Sequence, residues 1–240
     1  MEGQNFSRRV EGNDPFLLVV ITAPAFFPGE AACLEGLLAA GLEKLHLRKP
    51  GASQEEMEAL LQQIAPRWRS RLVLHHHSGS AGSSRELVRL AARYGIPQIH
   101  RSLKEVGAGE PDAVEPEAAE PDPEAPGPEA PIAVSASLHS WSAMKEIEGR
   151  GLTYVFMSPV FDSISKPGYP ASPGLLHRPA GPYPCKVKVI GLGGVDKDTL
   201  VELLREGWEG AAVLGYIWED PDDAVKRYEQ LKKMITHHCP

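Results

Sequence analysis

Residues Tyr154 to Pro170 read YVFMSPVFDSISKPGYP. The first four are an apolar run with the composition of a buried strand, and it stops at Ser158-Pro159, where a polar loop begins. That loop carries Ser163, Ser165 and Lys166. Two hydroxyl donors and an ammonium within four residues suit a phosphate or pyrophosphate, whose many acceptor oxygens and charge they can satisfy. The same residues fit a solvated loop with an ordinary surface lysine, so the surrounding chain has to decide.

Working outward, the strand-then-loop unit recurs. Toward the N-terminus, a strand is predicted at Ala133 to Ser137 with a helix from about Ser140 to Glu148, and strands at Ile96 to His100, Arg71 to His77 and Lys44 to Lys49. Phe16 to Thr22, FLLVVIT, is a continuous run of the kind found in parallel strands covered on both faces. Helices are predicted at Glu30 to Gly41, with Gly41 as its stop, and at Ser83 to Tyr94. Another opens on Ser53, with Glu56 three residues on completing a capping box, and runs to about Arg69. Toward the C-terminus, Leu175 to Pro184 holds too many prolines and glycines for a regular sixth helix. Val187 to Leu192 leads into GLGGV, followed by a helix at Lys197 to Glu206, a strand at Gly210 to Leu214 and a helix at Asp222 to Ile235. Strand and helix alternate about eight times, which predicts an α/β fold, a single-domain (β/α)8 TIM barrel over residues 15–236. An open doubly wound sheet is the second choice. The barrel is preferred because its phosphate sites often use the loops after strands seven and eight, where Gly193, Gly194 and Gly215 stand.

At 240 residues the chain can bury one sizeable core, with two smaller domains left open. The net charge of -7 is local: residues 108–131 hold six Glu and two Asp and no Lys or Arg, so the chain without them carries +1. That stretch also has seven prolines and few apolar groups, and is read as a disordered acidic insert after strand four, just as residues 1–14 are read as a flexible leader. No basic stripe suggests nucleic acid, and no run reaches the roughly 20 apolar residues of a membrane span. Cys33, Cys185 and Cys239 are odd in number and far apart, which fits reduced thiols. A soluble cytoplasmic protein is expected, with small-molecule partners and a homo-oligomer left open.

In a barrel the C-terminal strand ends share one mouth. There the pattern places His46 and Arg48, His75 and His77, Ser135, Ser137 and His139, Lys166, Gly193 and Gly194, and Gly215. Gly193-Gly194 would let backbone N–H groups approach an anion, although a glycine pair also serves a plain turn. His75 and His77 leave one face of a strand and, with His46 or His100, would suit Zn²⁺ or a similar ion; hydrogen bonding to substrate or water is the alternative. His139 is a candidate for proton transfer near neutral pH, with capping of the following helix as its structural alternative.

In this order, HLRKP, SASLHS, YVFMSPVFDSISK, VIGLGGV and GAAVLGYI resemble the thiamine phosphate synthase superfamily, which includes the TenI-like thiazole tautomerases. The resemblance spans about Leu17 to Met234 apart from the acidic insert. It implies an enzyme of thiamine biosynthesis that joins hydroxymethylpyrimidine pyrophosphate to thiazole phosphate and releases pyrophosphate, with Mg²⁺ on the departing group. It implies pyrophosphate contacts from Arg48 and Ser137, leaving-group neutralisation by Lys166, and Ser163 and Ser165 near the thiazole. Gly193, Gly194, Leu214 and Gly215 would hold the thiazole phosphate through their backbones. His46 and His75 fall among the substrate-binding positions. The chain departs from the pattern where synthases usually have a Gln, an Asn-Asp pair and another Asp: it has His46, His75-His76 and the segment HRSLKE. The usual carboxylate set for Mg²⁺ is therefore missing, which leaves Glu105 as a replacement ligand, a different metal, or loss of pyrophosphate transfer. Two alternatives follow: a tautomerase that needs no metal and works through His139, and a silent barrel that binds thiamine-type phosphates.

Overall fold

Short segments of four to six residues form eight parallel strands that close in chain order. They are β1 (Leu17–Ile21), β2 (Lys44–Leu47), β3 (Leu72–His75), β4 (Gln98–Ser102), β5 (Ala133–Leu138), β6 (Tyr154–Met157), β7 (Lys188–Leu192) and β8 (Gly210–Val213). β1 pairs with both β2 and β8, which seals the barrel. The computed structural model describes residues 15–75, 84–106, 131–164, 168, 170–179 and 187–238. The leader and the acidic insert lie outside these residues, as do His76, His77, Ser165, Lys166, Cys185 and Cys239.

Strand alternation divides the core in two. Outward-facing Leu18, Val20, Leu45, Leu47, Leu72, Leu74, Val155 and Met157 meet the helices in one large apolar layer. Inside, Val19, Ile21, Tyr154, Phe156, Ile190 and Ala212 form a second, smaller cluster. The interior of β2 to β5 is different: His46, His75, Gln98, His100 and Ser135 are buried polar groups. The barrel therefore has an apolar interior side and a polar one.

The outer layer is α1 (Glu30–Ala39), α2 (Gln54–Gln63), α3 (Ser84–Arg93), the short α4 (Leu103–Val106), α5 (Thr199–Arg205), the short α6 (Gly215–Trp218) and α7 (Ala224–His238). The Ser53–Glu56 capping box opens α2, with both reciprocal hydrogen bonds made. α2 ends at Gln63 rather than near Arg69: Pro66 cannot donate an intrahelical hydrogen bond, and Pro66–Arg71 forms a 3-10 helix instead. The helix predicted after β5 is likewise a 3-10 segment, Trp141–Ile147. No helix occupies the sixth position among the described residues. There the indole N–H groups of Trp141 and Trp208 donate to the carbonyls of Leu175 and Leu176 (3.0 and 3.1 Å) and pin an irregular segment against the barrel. Among the described residues, no helix is long and apolar enough to cross a membrane.

Candidate active site at the barrel mouth

The polar interior side is organised by three imidazoles. His46 Nδ1 lies 2.7 Å from His75 Nε2, and His46 Nε2 lies 2.6 Å from the Tyr154 hydroxyl. His100 stacks on His75 with ring centroids 4.4 Å apart and reaches Ser135 Oγ through Nδ1 (3.0 Å) and Ser137 Oγ through Nε2 (2.8 Å). The Ser135 hydroxyl donates to the Ile99 carbonyl (3.3 Å), so its oxygen accepts from His100 Nδ1–H, which leaves a lone pair on His100 Nε2. Burial depresses the pKa of His46 well below the usual histidine range, with the neighbouring His100 and Lys44 adding to the effect. Burial, reinforced by Arg48, takes His100 to about 3. Burial also pushes the Tyr154 phenol up, so the group stays protonated. His46, His100 and Tyr154 are therefore neutral donors and acceptors at physiological pH.

Arg48 stands one residue beyond β2. Its backbone is locked by Thr22: Arg48 N–H donates to Thr22 Oγ1 (2.9 Å), and Thr22 Oγ1–H donates to the Arg48 carbonyl (3.1 Å). The next residue, Lys49, is fully buried and donates to Glu30 (2.5 Å) and to the carbonyls of Ala23 and Ala25 (2.8 and 3.0 Å). This clamp ties the loop after β1 and the start of α1 to the end of β2. Lys49, Glu30 and Tyr154 are absent from the sequence-based site. The strand alternation that puts Tyr154 inside with Phe156 was the available signal for it; nothing local marks the Glu30–Lys49 pairing, which spans 19 residues.

On the other side of the mouth, His139 Nδ1–H donates to the Ser158 carbonyl (2.8 Å), which leaves Nε2 as the lone-pair nitrogen on an exposed ring. This contact crosses from the end of β5 to the end of β6 and does not cap the following segment. Gly193 and Gly194 both adopt positive φ, 100° and 65°. A Cβ on Gly194 would overlap the Asp162 carbonyl oxygen and Phe161, and one on Gly193 would press on Pro159. Glycine is required here by the close approach of the β6 loop, whatever else the turn holds. Leu214 and Gly215 lie where β8 passes into α6. Ser163 is described in the loop after β6, whereas Ser165 and Lys166 are not. The structure thus unites His46, His75 and Ser137 around His100, and sets His139 apart on the Ser158 carbonyl.

The donors at the ends of β2 to β4 do not fit Mg²⁺. That ion demands oxygen ligands in near-octahedral geometry, and the described set offers three imidazoles. Glu105, the carboxylate available as a replacement, accepts from Ser102 N–H (2.7 Å) across the turn that opens α4.

Comparison with known proteins places the greatest likeness in the second half of the chain. The family model described as thiamine monophosphate synthase matches residues 124–217. A thiamine-phosphate synthase of Listeria monocytogenes serotype 4b (strain CLIP80459) is 30% identical over 101 residues, 41% of this chain and 47% of that protein. The chain thus matches about half the length of this curated relative. The crystal structure of thiamine phosphate pyrophosphorylase from Bacteroides thetaiotaomicron superposes with a TM-score of 0.60 at 26% identity, covering 92% of this chain and 98% of that one. The Pyrococcus furiosus thiamine phosphate pyrophosphorylase superposes with a TM-score of 0.64 at 20% identity, covering 94% and 98%, and supports the fold. With the ordered motifs on the closed barrel, these matches show that the chain is similar to thiamine phosphate synthases in its second half and shares their fold throughout.

Proposed function

We propose that the protein is a transferase of thiamine biosynthesis that couples hydroxymethylpyrimidine pyrophosphate to thiazole phosphate. In that reaction the thiazole nitrogen lone pair forms a C–N bond to the pyrimidine methylene carbon as its C–O bond to pyrophosphate breaks. Negative charge grows on the departing pyrophosphate, so groups fixed in advance around it lower the barrier. The observation that carries this reading is Arg48, whose backbone Thr22 locks at the mouth beside the imidazole cluster. A guanidinium has the planar donor fork that suits pyrophosphate oxygens. In this reading Lys166 neutralises the leaving group, Ser137 contacts it, Ser163 and Ser165 border the thiazole, and Gly193, Gly194, Leu214 and Gly215 hold the thiazole phosphate. His46 and His75 face the pyrimidine substrate. No step is assigned to Mg²⁺.

Incubation of purified protein with both substrates should yield thiamine phosphate and pyrophosphate in equal amounts. Arg48→Ala and Lys166→Ala should each lower kcat by about 10²–10³-fold, the usual cost of losing a donor to developing charge. A second reading rests on His139, whose tautomer is fixed with Nε2 as base. Metal-independent isomerisation of thiazole carboxylate phosphate, abolished by His139→Ala, would make the protein a tautomerase. Phosphate binding without turnover of either kind would make it a silent barrel.

A further inference from the structure

We propose that His46, His75 and His100 form a binding site for a borderline transition-metal ion of the Zn²⁺ type inside the barrel. The inference rests on the imidazole cluster itself and is independent of the thiazole chemistry proposed above.

Each of the three rings offers a nitrogen, and the three lie within 4.8 Å of one another. In a tetrahedral site with Zn–N bonds of about 2.0–2.1 Å, ligand nitrogens stand about 3.3 Å apart. The His46 Nδ1–His75 Nε2 pair, now 2.7 Å apart around a shared proton, has to open by roughly half an ångström, and His100 has to close in. Small ring tilts supply both movements. The chemistry of the donors selects the ion: imidazole suits Zn²⁺, Cu²⁺ and Ni²⁺, while Mg²⁺ and Ca²⁺ require oxygens.

The surroundings of two rings match those of metal-bound histidines, which almost always give their second N–H to a fixed acceptor. His100 already donates Nδ1–H to Ser135, and its Nε2 lone pair, which now accepts from the Ser137 hydroxyl at 2.8 Å, has to turn from Ser137 to the ion. His46 meets the same requirement in one of its two tautomers. With Nε2–H donating to the Tyr154 oxygen at the same 2.6 Å contact, Nδ1 becomes free to coordinate.

Three protein ligands leave a fourth position open, as in catalytic zinc sites. Among the described residues no carboxylate belongs to the cluster, and Lys44 and Arg48 add positive potential to it. The fourth ligand is therefore anionic: hydroxide, or an oxygen of a phosphate drawn to Arg48.

Co²⁺ titration of chelator-treated full-length protein tests the site with the metal alone. We expect one equivalent to develop visible d–d bands of tetrahedral intensity, Zn²⁺ to erase them, and a millimolar excess of Mg²⁺ to leave them unchanged. Anomalous scattering at the zinc edge should place the ion among the three rings. Tyr154→Phe should weaken Zn²⁺ binding by about 10–100-fold, the usual loss when a ligand loses its hydrogen-bond partner. His75→Gln should weaken it further, and circular dichroism checks that both variants fold. If a variant fails to fold, the wild-type spectrum and the anomalous map still decide. Absence of stoichiometric uptake would overturn the proposal. So would uptake unchanged in folded His75→Gln, or a peak at His237 and His238 on α7.

Discussion

The two halves of this barrel have been kept to different standards. From β5 to β8 the chain keeps the likeness to thiamine phosphate synthases: the family model matches 124–217, and the interior of β6 to β8 is apolar, with Phe156, Ile190 and Ala212. From β2 to β4 the same fold encloses three histidines, His46, His75 and His100, and the family model does not extend to these strands. The closure of the sheet is indifferent to this contrast, because the backbone ladder needs only strand pairing while the interior needs only filled volume and satisfied polar groups. The difference teaches that the interior of one half of a barrel can be built from polar groups while the other stays apolar and keeps its tight glycine turn.

The sharpest test of how the first half is held is Lys49→Met. It removes a fully buried cation from Glu30, which is 3% exposed, and from two backbone carbonyls. Leaving a buried charge unpaired costs about 3–5 kcal/mol, measurable by urea unfolding at pH 8. Because burial already raises the Glu30 pKa, the loss should shrink in acid as the carboxyl takes a proton. In the second half, Gly194→Ala is the matching test. A positive φ and overlap with the β6 loop together should cost about 2–4 kcal/mol, and affinity should fall most for thiazole phosphate, whose backbone contacts this turn supplies in the proposed reading. A phosphate-selective loss with intact stability would show instead that the glycine serves the anion alone.

The imidazoles give the first half a pH dependence. His100 titrates near 3 in the folded protein and about 6.5 unfolded, so the unfolded state binds the extra proton first as pH drops. The stabilisation is complete above about 6.5 and is lost as pH falls toward 3, at about 1.4 kcal/mol per pH unit. Between pH 6.5 and 4.5 the loss from His100 should be about 2–3 kcal/mol, with His46 adding in the same direction. Urea midpoints across this range should fall less steeply in His100→Gln. The smallest effect is expected from the acidic tract: deletion of residues 108–131 should change stability by less than about 0.5 kcal/mol. A cooperative loss of folding would show that the tract packs on the barrel.

Strand order was legible because the strands are short segments, apolar or alternating apolar and polar, separated by helical patterns and breakers, and the Ser53–Glu56 cap because its signal is local. The errors fell where a local breaker competes with helical spacing, as at Pro66, or where a helical pattern tightens into a 3-10 segment, as at Trp141–Ile147. Alternation placed His46 and His75 at the mouth. It offered His46 or His100 as a partner of His75, but it could not show that both join it, or that Tyr154, on the far-off β6, hydrogen-bonds His46 across 108 residues. Nor could local spacing expose the Glu30–Lys49 pair, since register around a closed sheet is a property of the whole chain.

Calorimetric titration of wild type and His75→Gln with each substrate separately tests the division of the mouth most directly. The account predicts that His75→Gln weakens binding of hydroxymethylpyrimidine pyrophosphate at least tenfold, about 1.4 kcal/mol, and leaves thiazole phosphate affinity unchanged. Equal losses for both ligands, or a loss confined to thiazole phosphate, would contradict it.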